Sequence, residues 1–348
     1  MKIKLGKKLI TKKNLATIAG VAVIVMLFTT FLSLLFLSRR MNDARRSTVS
    51  TNLDEYEKYV CMITSDDEAN FWQEVYSVAH EKGDDNGVYV DLLSKSLSGQ
   101  NSSEDLLRVA IASKPDGIIL EVTPGLSMSE MIEEASEANI PIVTVMSDCE
   151  ATHRISYVST NNYSLGQLYG SQVMGVAEND SSVLILSRKA NNVVGENLII
   201  TGIQDTILST EEYRNISFET ATITDEDAFA IEESVRNIFV EEEKLPDVII
   251  CLDELITTCV YQALIDFNKV GQVQLLGYYD SDTIIEGVKT GVIHSTITVD
   301  TVAMGEDCID AFTEYWNSGY VSEFYDVDSS LITQANVDKY LEGNADEN

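Results

Sequence analysis

Only four prolines, three histidines and five cysteines occur among the 348 residues, and each scarcity closes off some chemistry. His80, His153 and His294 are scattered, so the sequence expects no histidine-based metal or catalytic cluster. Cys61, Cys149, Cys251, Cys259 and Cys308 show no metal-ligand spacing. Their odd number excludes a complete disulfide framework and leaves a single bridge open. Cys61 and Cys251 lie inside apolar runs, where a thiol serves as a small hydrophobe. There is also no Gly-rich phosphate loop and no nucleophile placed beside a base, so the reading is of a non-enzyme without cofactor or metal.

Basic residues are nearly missing from the body of the chain. Ten of the 24 lysines and arginines precede Ser47. The remainder carries 14 basic against 55 acidic residues, a net of −41. A surface that acidic repels phosphate backbones, so no nucleic-acid partner is expected. Its plainest consequence is solubility. Hydrophobic residues make up 45% of the sequence, enough to fill the cores of about two domains.

Charge is missing altogether from Leu15 to Leu37, "LATIAGVAVIVMLFTTFLSLLFL". Twenty-three uncharged residues exceed the roughly 20 that a membrane-crossing helix needs. No small-residue cleavage pattern and no nearby cysteine for lipid attachment follow the run, so a retained single-pass anchor is expected. Six lysines precede it and four arginines follow within ten residues, a balance that leans toward an extracytoplasmic C-terminal body. The domain reading is therefore a cytoplasmic basic tail over 1–14, a transmembrane helix over 15–37 and a linker over 38–57.

After the linker, short apolar runs alternate with amphipathic stretches. "YVCMIT", "VYVDLL", "DGIILEV" and "IPIVTV" read as strands, separated by a helix over 70–81 closed by Gly83, a helix capped by Ser103, and a helix over 127–138. The pattern restarts after "YVST". Helices are expected over 161–177, 197–208, 225–243, 254–268 and 282–290, between the strands "SVLILS", "SFETATI", "DVIICL", "VQLLGY" and "STITV". Runs of this length between helices predict parallel sheets of βαβ units, covered on both faces. Two stretches nearly repeat one another, "KPDGIILEV" from Lys114 and "KLPDVIICL" from Lys244, as equivalent strands of two similarly built lobes. Ligands of open parallel sheets bind beyond the carboxyl ends of the strands. Those ends are Ser65 and Asp66, Glu121, Ser147 and Asp148, Asp253 and Glu254, and Tyr279 and Asp280. Asp and Ser at such places also serve as helix caps.

The order of "ANFW", "ANIPIVTVMSD", "YVSTNNYSLGQLYG", "LDELITTCVYQAL" and "LLGYYDSDTIIEGVKTGVIHSTITVDTVAMG" resembles the type I periplasmic binding proteins. It is most similar to their ribose- and galactose-type branch, which shares its fold with the ligand-binding part of LacI-type repressors. The resemblance runs from about Tyr59 to Tyr340. It implies two Rossmann-like lobes joined by three crossovers near Thr160, Val299 and Asp328. The N-terminal lobe would be 58–160 plus 300–327, with a helix over 302–317 returning to it. The C-terminal lobe would be 161–299 plus 328–341, before an acidic tail over 342–348.

By the same resemblance Phe71 and Trp72 match an aromatic pair that stacks on a ligand, and Ser65 matches a polar contact. Other positions depart from the family pattern. Met146 and Tyr279 stand where aspartates are usual, although Ser147 with Asp148 and then Asp280 follow them. Asn197 and Ile199 occupy the place of a ligand-gripping arginine, Leu252 stands beside a preserved Asp253, and Val299 replaces a glutamine. Charged hydrogen bonds contribute roughly 1.5–3 kcal/mol each, so losing several removes much of a pentose site. What is implied is a sugar-like or less polar ligand, or a degenerate cleft in a pure interaction module. The partners implied are a sensor histidine kinase in the first place and an ABC permease in the second. The retained anchor favours sensing.

Overall fold

The structure, a computed structural model, describes residues 56–346 apart from 68, 98–100, 124, 150–152, 189–192, 225–227 and 242–243. The expected tail 1–14, membrane helix 15–37 and nearly all of the linker 38–57 lie outside the described residues. Among the described residues no helix is long and apolar enough to cross a membrane.

The first half of the body alternates as its apolar runs predict. The elements are β1 (Lys58–Ile63), α1 (Asn70–Asp85), β2 (Val88–Leu92), a one-turn α2 (Leu93–Ser96) and α3 (Ser103–Ser113). Next come β3 (Gly117–Leu120), α4 (Leu126–Glu137), β4 (Ile142–Val145) and β5 (Ser156–Ser159). Ser102, rather than Ser103, caps α3, accepting from the Asp105 backbone N–H at 3.2 Å. Gly83 does not end α1. It is buried in the helix because a side chain there would meet the Val88 carbonyl at 2.6 Å.

The second half repeats the plan. It runs α5 (Asn162–Val176), β6 (Ser182–Arg188), α6 (Val193–Leu208), β7 (Ser217–Ile223), α7 (Ala228–Glu241) and β8 (Val248–Cys251). It continues with α8 (Glu254–Asp266), β9 (Gln274–Tyr278), α9 (Asp282–Thr290) and β10 (Ser295–Val299). The closing segment is α10 (Thr301–Ser318), β11 (Phe324–Asp326), β12 (Ser329–Thr333) and α11 (Val337–Asp346). Helix α11 takes in most of the segment expected as an acidic tail.

Two six-stranded sheets result, ordered β11-β5-β4-β3-β1-β2 and β12-β10-β9-β8-β6-β7. The chain passes between them three times, after β5, after β10 and after β11. These passages lie side by side: the Val327 N–H donates to the Ser159 carbonyl at 2.9 Å, and the Asp300 N–H to the Asp328 carbonyl at 3.0 Å. The two Pro-Asp strands, β3 and β8, hold the same place in the two sheets. One strand departs from the all-parallel expectation, since β12 runs antiparallel to β10. It enters directly from the carboxyl end of β11, hence from the cleft side of the second sheet, and can only run away from the cleft.

The central strands of each sheet are buried on both faces. In the first lobe Cys61, Ile63, Ile118, Leu120 and Ile142 pack under α3 and α4. Val60, Met62, Ile119, Val143 and Val158 face α1 and the returning α10. Helix α10 lies close on α1 at Gly305, where a Cβ would sit 2.8 Å from the Val75 carbonyl. In the second lobe Val183, Ile185, Val248, Ile250 and Ile297 meet α5 and α6. Leu184, Ile249 and Leu275 meet α7, α8 and α9. At about 1.5–3 kcal/mol for each fully buried aliphatic side chain, these layers are the main source of stability. The five cysteines form no disulfide, and Cys61, Cys251 and Cys308 are buried in these layers as small hydrophobes.

Candidate functional site

Because β1 and β6 start equivalent parallel sheets and the crossovers join the same ends, the carboxyl ends of both sheets turn toward one cleft. On the first lobe its wall is the segment between β1 and the first turns of α1. Asp66, Asn70, Phe71 and Glu74 all reach the other lobe from there. The i, i+4 spacing puts Asn70 and Glu74 on one face of α1. On the second lobe the wall is built from the ends of β6, β8 and β9, with Arg188, Asp253, Glu254 and Tyr279.

Among the described residues, four contacts join these walls directly. An Arg188 guanidinium nitrogen lies 3.5 Å from Asp66 of the first lobe and 3.7 Å from Asp253 of its own. Asn70 Nδ2 donates to Glu254 Oε1 at 2.9 Å. The Tyr279 hydroxyl donates to Glu74 Oε2 at 2.7 Å. The rings of Phe71 and Tyr279 meet edge to face at 5.9 Å. Trp72 stands behind, edge-on to Phe71 at 4.9 Å. All three aromatics are buried, with Phe71 9%, Trp72 6% and Tyr279 4% exposed.

Other expected site residues are committed within a lobe. Buried Glu121 receives the Ser65 backbone N–H at 2.6 Å, and the Ser147 hydroxyl donates to the Val122 carbonyl at 2.7 Å. Asp148 is held by both Nε and a terminal nitrogen of Arg154, each at 2.7 Å, and by the Thr144 hydroxyl at 2.8 Å. Asp253 caps α8 by accepting from the Ile256 N–H at 3.0 Å. Asp280 accepts from Thr298 at 3.1 Å and from the Tyr340 hydroxyl. Asn197 is exposed on α6, with its carbonyl accepting from Thr201 at 2.7 Å. The structure thus brings Asp66, Phe71, Trp72, Asp253, Glu254 and Tyr279 together, and gives Asp148 and Asn197 other surroundings.

Burial sets the electrostatics of the second wall. It pushes the carboxyls of Asp253, Glu254 and Asp280 above the usual carboxylate range. The opposing hydrogen bonds come from the Ile256 N–H, from Asn70 and Ser281, and from Tyr340 and Thr298 respectively. The Tyr279 phenol is raised by burial first and by its bond to Glu74 second, so it acts as a donor at any physiological pH. The cleft is a carboxylate-rich surface around Arg188, with an aromatic cluster at its centre.

Arg188, Asn70 and Glu74 were missed by sequence reasoning. Arg188 is the last residue of β6, and the rule that strand ends line the cleft would have found it. Glu74 was findable only as the next helical turn from Asn70.

Met146 and Tyr279 prove to be equivalent. Each follows the fourth strand of its lobe in a left-handed backbone conformation, with φ of 59° and 74°. Each N–H donates to the neighbouring strand, Met146 to Val158 at 3.0 Å and Tyr279 to Ile297 at 2.8 Å. Each carbonyl accepts a hydroxyl from that strand, of Tyr157 at 3.0 Å and of Thr296 at 2.6 Å. A bulky residue in this region costs on the order of 1 kcal/mol or more, and persists only where its surroundings over-determine it.

Among the described residues no group of three or more His, Cys, Asp or Glu side chains is arranged to hold a metal ion. No curated protein sequence matches the chain. Among solved structures it is similar to GanP, a glucose-galactose binding protein from Geobacillus stearothermophilus. The identity is 18% and the TM-score 0.70, covering 80% of this chain and 98% of that one. It is similar to an ABC transporter solute-binding protein from Burkholderia graminis in complex with D-arabinose, at 21% identity and TM-score 0.72, over 81% and 97% of the two chains. It is also similar to a chain of a XylFII-LytSN complex, at 21% identity and TM-score 0.67, over 80% and 98%. Identities this low speak for the fold. Residues 59–319 match the family model described as Periplasmic binding protein domain. That match runs from β1, through α5 to β10 of the second lobe, to the end of the helix that returns to the first, and the chain belongs to the periplasmic binding protein family.

Proposed function

We propose that this protein is a solute-binding module held at a membrane, with its two lobes outside the cytoplasm, and that it reports the state of its cleft to a membrane partner such as a sensor histidine kinase. The observation that carries the reading is that one segment of the first lobe, Asp66 to Glu74, meets the ends of β6, β8 and β9 of the second. Anything that enters the cleft must part these contacts, so occupancy and lobe geometry are one variable. A partner touching both lobes reads that variable, and by linkage its binding alters ligand affinity by the same factor. The expected anchor over 15–37 and the short linker keep the lobes near such a partner, which raises its effective concentration. That a similar structure is a complex of XylFII with a second protein, LytSN, supports the same reading.

The ligand proposed is small and sugar-like or less polar, because the cleft offers aromatic rings and carboxylates and Arg188 is already engaged. Delivery to an ABC permease is the second reading, favoured by the solute-binding proteins of sugar transporters among the similar structures. Mild cross-linking of the full-length protein in its own membranes, followed by affinity capture, separates the two. Capture of a receptor or kinase is expected. Capture of a permease with its ATPase, and of no receptor, would reverse the order.

A further inference from the structure

Tyr279 occupies the part of the cleft where the aromatic pair of the first lobe points. Its backbone is held left-handed by the Ile297 carbonyl and the Thr296 hydroxyl. Its equivalent in the first lobe, Met146, shares that backbone but makes none of the four contacts across the cleft. The ring of Tyr279 is 4% exposed, packed edge to face on Phe71, while its hydroxyl reaches Glu74, whose carboxylate lies at the exposed rim. Phe71 and Tyr279 belong to one apolar cluster that continues from the α1 face of the first sheet into the second lobe. Around them Arg188–Asp66 and Asn70–Glu254 close the same seam.

We propose that Tyr279 is a built-in latch, which holds the two lobes shut upon each other through its own ring and hydroxyl and takes the place of a small ligand as the agent of closure. The hinge is the trio of adjacent crossovers at Ser159–Thr160, Val299–Asp300 and Val327–Asp328. Withdrawing one side chain loosens this seam, because the four contacts across it all come from nine residues of the first lobe, Asp66 to Glu74. A ligand that binds this cleft competes with Tyr279, so its measured affinity is its intrinsic affinity reduced by the small fraction of molecules in which the latch is out. The latch rests on the binding-module reading only in placing a ligand site between the lobes.

The test uses the full-length protein in nanodiscs, in a Trp316→Phe background so that Trp72 alone fluoresces. Acrylamide quenching of Trp72 is compared for the parent, Tyr279→Phe, Glu74→Ala and Tyr279→Gly, the last removing the ring and the backbone strain together. The parent is expected to be poorly quenched without any added solute. Quenching is expected to rise at least about two-fold in Tyr279→Gly and by less in the two hydroxyl-bond variants, as the open population grows. A double electron-electron resonance pair, one label on each lobe, should lengthen in the same order. A parent already as quenched and as open as Tyr279→Gly would overturn the latch, as would no change in any variant that unfolds cooperatively. Should Tyr279→Gly not fold, the two hydroxyl-bond variants decide alone. Titration of the opened variant with monosaccharides bears separately on the ligand reading: an opened variant that binds none of them sinks the sugar-like ligand and leaves the latch standing.

Discussion

Asp247 accepts two hydrogen bonds from Ser182, from its backbone N–H at 2.7 Å and from its hydroxyl at 2.9 Å. In the other lobe Asp116 accepts from the Tyr59 backbone N–H at 3.0 Å. Each aspartate follows the proline of a Pro-Asp pair and returns its own N–H to the same neighbour, Asp116 to the Tyr59 carbonyl at 2.8 Å and Asp247 to that of Ser182 at 3.0 Å. The repeated dipeptide is thus a lock between the first and third strands of each lobe. Asp247→Ala and Asp116→Ala should each lower the unfolding free energy by about 1–3 kcal/mol, measured by urea denaturation. The Ser182 N–H holds the Asp247 carboxyl below the usual range. Its contribution is therefore present above the unfolded pKa of about 3.9 and is lost as pH falls through the lower folded value. The deficit of Asp247→Ala should shrink in that acid window and hold constant at neutral pH.

Asp253, Glu254 and Asp280 carry the opposite sign. Burial raises their folded pKa values, so the folded state binds protons that the unfolded chain releases. Stability from these groups is complete below the unfolded pKa values and is lost as pH rises through the folded ones. The melting temperature should therefore rise as pH is lowered from neutrality through the raised folded pKa values toward the unfolded ones of about 4, before the loss at Asp247 begins. Differential scanning calorimetry across that range checks it. A flat or falling profile would show that the raised carboxyls of the second wall are compensated by partners in the folded state.

Helices α5 and α6 approach so closely that glycine is required on both. A Cβ on Gly166 would lie 2.1 Å from the Ile199 carbonyl, and one on Gly202 would lie 2.3 Å from the Tyr163 carbonyl. Both obstacles are backbone, so a methyl group can be admitted only by separating the helices. Gly166→Ala and Gly202→Ala should each destabilise by about 1–3 kcal/mol. Gly175→Ala, with nothing within 4 Å of its Cβ, is the control and should be neutral or slightly stabilising. Equal losses at all three positions would mean that helix packing is not the cause.

The two α/β lobes and the succession of strands and helices along the chain were legible because they rest on local periodicity. An apolar run of five residues between amphipathic helices has few other places to go in an α/β fold. The seam was not legible. Glu74 and Tyr279 are 205 positions apart, and nothing near either one signals the other. Asp148 looked like a cleft group, and only the fold brings Arg154 beside it with two parallel hydrogen bonds. Asp253 sat at the right strand end, but a strand end is also a helix start, and one carboxylate oxygen caps α8 while the other faces Arg188. The antiparallel β12 follows from where the third crossover enters, which no local pattern encodes.

Arg188 sits between a carboxylate of each lobe, Asp66 at 3.5 Å and Asp253 at 3.7 Å. These are long ionic contacts on partly exposed groups, so their attraction alone amounts to about 1 kcal/mol or less. Removing the guanidinium does more than lose that attraction, because it leaves Asp66 facing the partly buried Asp253 with no cation between them. Arg188→Met keeps the aliphatic bulk and removes the charge. It should destabilise the protein modestly at neutral pH and low salt, and raise the pKa of Asp253 further, since Arg188 is among the groups that now lower it. Two treatments should restore the loss: salt, which screens the partly exposed Asp66, and acid low enough to protonate Asp253, whose carboxyl is raised by burial. Urea denaturation of parent and variant at about pH 7 and about pH 5, each with and without added salt, reads all three effects. A deficit that stays the same under all four conditions would mean that Arg188 acts through packing, and that the charge it places in the seam has no part in holding the lobes together.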